Sequence, residues 1–123
     1  MIQVYSTNVT TTALSPIPLD NVTFKKGNTA TLNGTSTIGL NKCGVYCVTI
    51  DSSSEAAATI QLYVNGVAQA DAVSTGTNAG FTKLISVAEN NTNCPCSAPT
   101  IIQFVSTEAS TFTNVNVVVT KLI

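Results

Sequence analysis

Four cysteines are the only reactive side chains in this sequence that cluster. Cys43 and Cys47 lie four residues apart, and Cys94 and Cys96 flank Pro95. Thiols grouped this way serve a disulfide framework, pack as small buried apolar groups, or hold zinc. On an extended strand Cys43 and Cys47 share one face but sit roughly 13 Å apart, beyond disulfide reach. Cys94 and Cys96, with a single proline between them, are also an awkward pair. A bridge therefore joins one pair to the other, with connectivity open, and free buried thiols stand as the alternative. C-x3-C on a straight strand and C-x-C are poor spacings for tetrahedral zinc, so no metal site is expected.

Nothing else in the chain carries a nucleophilic mechanism. His and Arg are absent, which excludes Ser–His and Cys–His chemistry. The acids Asp20, Asp51, Glu55, Asp71, Glu89 and Glu108 are scattered over expected loops and strand ends. A glycosidase would need two of them brought together across a cleft, whereas dispersed carboxylates form a solvated rim. No glycine-rich phosphate loop opens a helix. Neither enzyme activity nor a cofactor is expected. A net charge of −1 without arginine lacks the footprint of a nucleic-acid binder. Asn8, Asn21, Asn33 and Asn90 match N-x-[ST], a pattern that a Thr-rich chain produces by chance.

The elements that position the cysteines are strands. At 123 residues the chain is expected to form one domain, residues 1–123, with a real core. Charged residues make up 9% and hydrophobic ones 44%, with a mean hydropathy of +0.31. No apolar run is long enough to span a membrane, and Met1–Tyr5 alternates like a strand rather than opening a signal peptide. Residues 52–58 are too short for an independent helix and read as a loop. Short strands at a spacing of about ten residues indicate a sandwich or barrel. They are expected at 2–6, 22–25, 29–32, 41–51, 57–64, 67–74, 81–88, 99–106 and 112–122. Residues 1–14 read as an N-terminal arm or edge strand, and Pro16 and Pro18 suit an edge segment. Asn65-Gly66 is the strongest hairpin signal, since a type I′ turn needs positive φ at both central residues.

These strands differ in character. In 41–51, Tyr46, Val48 and Ile50 fall on one face and Cys43, Val45, Cys47 and Thr49 on the other, and neither face is polar. The segments 81–88 and 112–122 are likewise apolar on both sides. In 57–64, Ile60, Leu62 and Val64 oppose Thr59, Gln61 and Tyr63, so that strand has one wet face and its apolar set is core. One sheet is thus expected to be buried twice and the other once, as in a sandwich that associates through one of its sheets. A monomeric sandwich with some apolar surface is the plainer alternative.

Gly44-Val45-Tyr46-Cys47-Val48, preceded by Ile38-Gly39-Leu40, resembles the G-x-Y-x-aliphatic strand of tumour-necrosis-factor and C1q-like jelly rolls. Leu62-Tyr63-Val64-Asn65-Gly66 resembles that superfamily's L-x-x-N-G hairpin, and the ending at 115–122 resembles its final central strand. The similarity is nearest to phage head-fibre and decoration proteins and to C-terminal domains of bacterial collagen-like surface proteins. It implies an all-β, two-sheet antiparallel jelly-roll sandwich of about ten short strands, assembled as a homotrimer with the G-x-Y sheet on the three-fold axis. On that pattern Tyr46, Val48 and Ile50 point into the core. Val45, Cys47 and Thr49, with Val117 or Val118, point to the interface. The loop at 90–99 would leave a strand lying beside 43–50, so bridges from Cys43 and Cys47 to Cys94 and Cys96 fit. The implied function is structural: a virion-surface protein made without a signal peptide, with a capsid protein as partner and residues 1–14 as tether. The alternatives are a knob that binds a surface glycan or receptor through Tyr63 and the loops around 70–80, and a fibre tip on a bacterial cell or spore surface.

Overall fold

β-Branched residues alternating with Ser, Thr and Asn favour extended segments that bury one side. In the computed structural model the described residues, 1–88 and 100–123, form eleven strands. These are β1 (Ile2–Thr11), β2 (Ser15–Pro16), β3 (Asn21–Lys25), β4 (Ala30–Asn33), β5 (Thr37–Leu40), β6 (Gly44–Ser54), β7 (Ala58–Val64), β8 (Val67–Gly76), β9 (Gly80–Val87), β10 (Thr100–Ser106) and β11 (Ser110–Lys121). One sheet has the order β3-β1-β11-β6-β9. The other runs β4-β5-β10-β7-β8, with β2 also paired to β10. All pairings are antiparallel.

The two sheets face one another across a single apolar cluster. Ile2 and Val4 of β1, Tyr46, Val48 and Ile50 of β6 and Val115, Val117 and Val119 of β11 supply one side. Ile38, Ile60, Leu62, Ile102 and Phe104 supply the other. The Phe81 and Phe104 rings, with centroids 6.0 Å apart, close the gap between the sheets beside β9. Polar atoms that enter this layer are bonded: Ser6 Oγ donates to Pro18 O at 2.7 Å and Ser52 Oγ to Ala79 O at 2.6 Å. Satisfying them removes most of the cost of burying a hydroxyl.

Tyr46 anchors the start of β6. Its hydroxyl accepts from Lys42 N at 3.2 Å and has the Lys42 and Thr29 carbonyls at 2.7 and 3.2 Å as acceptors. Two residues earlier Gly44 has φ 143°, and a Cβ there would sit 2.0 Å from Ile123 O. The glycine and tyrosine of the G-x-Y pattern thus have separate reasons. One lets the C-terminal backbone pass, and the other ties the preceding loop to the core.

Two expectations need correction. Residues 1–14 are neither arm nor edge: β1 runs for ten residues between β3 and β11. Its polar second half stays in the ladder because Asn8 takes a left-handed turn (φ 52°), which asparagine tolerates, and pairing resumes at Val9 opposite Phe112. The proline segment is an edge as expected, since β2 pairs with β10 alone among the described strands, yet Ile17 and Leu19 are fully buried. Their amides donate to Phe104 O and Thr35 O, while Pro16 and Pro18 occupy the alternating positions that need no donor. Val64 is only partly buried, because it ends β7 just before the turn at Asn65 and Gly66 (φ 50° and 80°).

Candidate interaction surface

The outer face of the five-stranded sheet is defined by residues whose neighbours in sequence fill the core. Three rows cross it. The first runs Phe24, Gln3, Val118, Thr49 and Thr82 across all five strands. The second runs Asn21, Tyr5, Asn116, Asp51 and Gly80. A shorter row joins Thr120, Cys47 and Leu84. Asp51 is the one charged side chain in these rows. Leu84 is 57% exposed and Phe24 47%, while Val45, Cys47, Thr49 and Val118 are half-buried by their lateral neighbours. The amides and hydroxyls between them pair within the face: Gln3 Nε2 donates to Asn116 Oδ1 at 3.2 Å, and the Thr49 and Thr82 hydroxyls lie 3.2 Å apart. A face that satisfies its polar groups laterally and carries almost no charge loses little on being dehydrated.

The candidate interface residues therefore separate. Val45, Cys47, Thr49 and Val118 share this outer face. Val117 does not: it is fully buried, paired with Ile50 and turned into the sandwich. Tyr5, Phe24 and Leu84 belong to the face although reasoning from sequence did not place them there. The available signal was the alternation of Gln3 and Tyr5 against Ile2 and Val4.

The cysteines separate in the same way. Cys47 is a free thiol in mid-strand, flanked by Thr120 on one side and Leu84 on the other. Its place in a cross-bridge is thereby corrected. The chain leaves β9 opposite Gly44, beside Cys43, and Cys47 lies further along the ladder, opposite Leu84, roughly 10 Å from Gly44. Cys43 is disulfide-bonded, and Cys94 and Cys96 lie outside the described residues.

No site of acid–base or metal chemistry assembles among the described residues. Asp71 holds the Lys83 ammonium across the sandwich edge, which keeps its carboxyl below the usual range. Asp51, Glu55 and Glu108 are exposed, and no three His, Cys, Asp or Glu side chains of the described residues converge. The expected glycan-contact loops around 70–80 are largely strand, since β8 continues to Gly76. Tyr63 lies half-buried on the outer face of the six-stranded sheet beside Gln103. One shallow depression, about 290 Å³, lies at the end where β1 finishes, between Thr10, Glu55, Ala57 and Ser110.

Solved structures share this arrangement over nearly its whole length. The globular domain of zebrafish complement 1qA superposes with a TM-score of 0.72 at 12% identity, covering 99% of this chain and 96% of that one. The fold is the tumour-necrosis-factor/C1q-like jelly roll. The PRD1 vertex protein P5 matches this jelly roll with a TM-score of 0.68 at 12% identity, over 99% and 96% of the two chains. Murine APRIL matches with 0.67 at 9% identity, over 98% of each. No family model matches the chain. No curated protein matches its sequence.

Proposed function

We propose that this chain is a structural protein of a virion surface, a capsid decoration or head-fibre protein that acts as a homotrimer built through the outer face of β3-β1-β11-β6-β9. The observation that carries the reading is that face: five strands wide, with Phe24, Val118, Cys47 and Leu84 exposed or half-exposed and Asp51 its one charge. A sheet face so poor in charge is suited to a partner copy rather than to water. Likeness of fold to a vertex protein supports the virion setting and the attachment to a capsid component. The assembly would act by being stiff and present, with no catalysis, no cofactor and no nucleic acid. If each subunit buries on the order of 1,000 Å² at the axis, the interface is of the size expected for a stable assembly. Light scattering at micromolar concentration tests it. A three-subunit mass that persists on dilution is the expected result, and a stable soluble monomer overturns the reading.

A further inference from the structure

The lysines of this chain are not spread over it. Lys25 and Lys26 close β3 beside the start of β1, where Lys26 and Met1 exchange backbone hydrogen bonds at 2.9 and 3.0 Å. Lys42 precedes β6, and Lys121 ends β11 against Gly44. All four therefore lie toward the end of the sandwich where β1 begins. The fifth, Lys83, is held by Asp71 on the flank. None of the four has a carboxylate within ion-pair distance among the described residues.

The opposite end has the complementary character. Glu55, in the β6–β7 connection, and Glu108, in the β10–β11 connection, are exposed there, and neither holds a cation. Between these connections lies the depression of about 290 Å³, where Ala56, Ala57 and Ala109 give an apolar lining, Thr10 and Thr111 add hydroxyls, and Glu55 supplies a carboxylate. An ammonium on an aliphatic stem suits such a lining, with methylenes on the alanines and charge at the carboxylate. An anion would be repelled by Glu55, and a sugar would find no aromatic platform.

We infer that copies of this chain, or of its assembly, contact one another end to end, with a lysine from the end where β1 begins seated in the depression at the end where β1 finishes. The two surfaces differ, so the contact is heterologous and propagates in a line instead of closing into a dimer. It uses none of the outer sheet face and goes beyond the trimer reading without depending on it. The contact is between exposed charges, so it weakens as the screening length shortens, whereas association through an uncharged sheet face does not.

Sedimentation velocity of the full chain at about 20 mM and about 500 mM salt separates the two contacts. The expected result is a concentration-dependent species at low salt, at least double the mass of the high-salt particle, that disperses at high salt. Glu55→Lys should abolish it, as should Lys25→Glu combined with Lys26→Glu, and mixing the two variants should restore a mixed contact. Glu55→Gln, at an exposed loop position, serves if a charge reversal perturbs folding as judged by circular dichroism. The same particle mass at both salt concentrations overturns the inference, and so does a Glu55→Lys protein that still associates with itself like the wild type. A monomer at high salt with salt-sensitive growth would sink the trimer alone.

Discussion

Asn65 binds both backbone polar groups of Ile101: its amide donates to Ile101 O at 2.7 Å, and its side-chain Oδ1 accepts from Ile101 N at 2.9 Å. One residue of the β7–β8 turn thus prolongs the β7–β10 ladder past its last pair, Val64 with Ile102. The turn also asks Asn65 for φ 50°, a region where asparagine is among the few side chains that sit comfortably. The residue is chosen twice, for its backbone and for its carbonyl.

Two substitutions separate those roles. Asn65→Gly keeps the turn and loses one hydrogen bond, at a cost of about 0.5–1.5 kcal/mol. Asn65→Ala loses the bond and adds left-handed strain of about 1–2 kcal/mol. Urea unfolding should rank wild type, Gly and Ala in that order. An Ala variant as stable as the Gly variant would show that the turn is unstrained.

Val117 and Val118 are neighbours with opposite fates. Val117→Asp places a carboxylate in the core and should prevent folding, since burying an unpaired charge costs several kcal/mol. Val118→Asp, on the outer sheet face, should leave a folded subunit that no longer assembles. Circular dichroism with light scattering reads both. A Val118→Asp protein that keeps the mass of the wild-type assembly would remove this face from the interface.

Cys43 and Cys47 should respond differently to alkylation. With Cys43 bonded and Cys47 free, denaturing alkylation without reductant should label Cys47 and spare Cys43, and with reductant it should label both. Reduction should cost about 2–4 kcal/mol of stability, the usual range for a native bridge. A Cys43 labelled without reductant, or a Cys47 that escapes label, would contradict the assignment.

Burial raises the Tyr46 phenol above its ordinary value of 10.0, partly offset by its hydrogen bond with the Lys42 backbone. With the folded value above the unfolded one, the folded state holds this proton longer. Its contribution is fully present below the unfolded pKa and is lost as pH rises from there through the folded pKa. Urea midpoints should therefore fall more steeply above pH 10 for wild type than for Tyr46→Phe, which cannot ionise. Parallel slopes would show that Tyr46 does not ionise on unfolding in that range. The variant should also lose about 1–2 kcal/mol at neutral pH, where the phenol hydrogen bonds are intact.

The sequence by itself determined the strands, the Asn65-Gly66 hairpin and the two-sidedness of 41–51, because alternation and turn chemistry are local properties of a few residues. It also placed Ile60 and Leu62 inside, since their strand has one polar face to exclude the alternative. Four things needed the tertiary structure. Val117 and Val118 could not be told apart where both phases of a strand are apolar, and only pairing with Ile50 turns Val117 inward. Residues 1–14 looked like an arm because the partner that makes β1 an interior strand, β11, lies about a hundred residues on. The burial of Ile17 and Leu19 was hidden by Pro16 and Pro18 beside them, which mark an edge by local rules and sit at the positions where no donor is required. Cys43 and Cys47 are equivalent by spacing. They differ because β9 ends opposite Gly44, so only Cys43 stands where the chain departs.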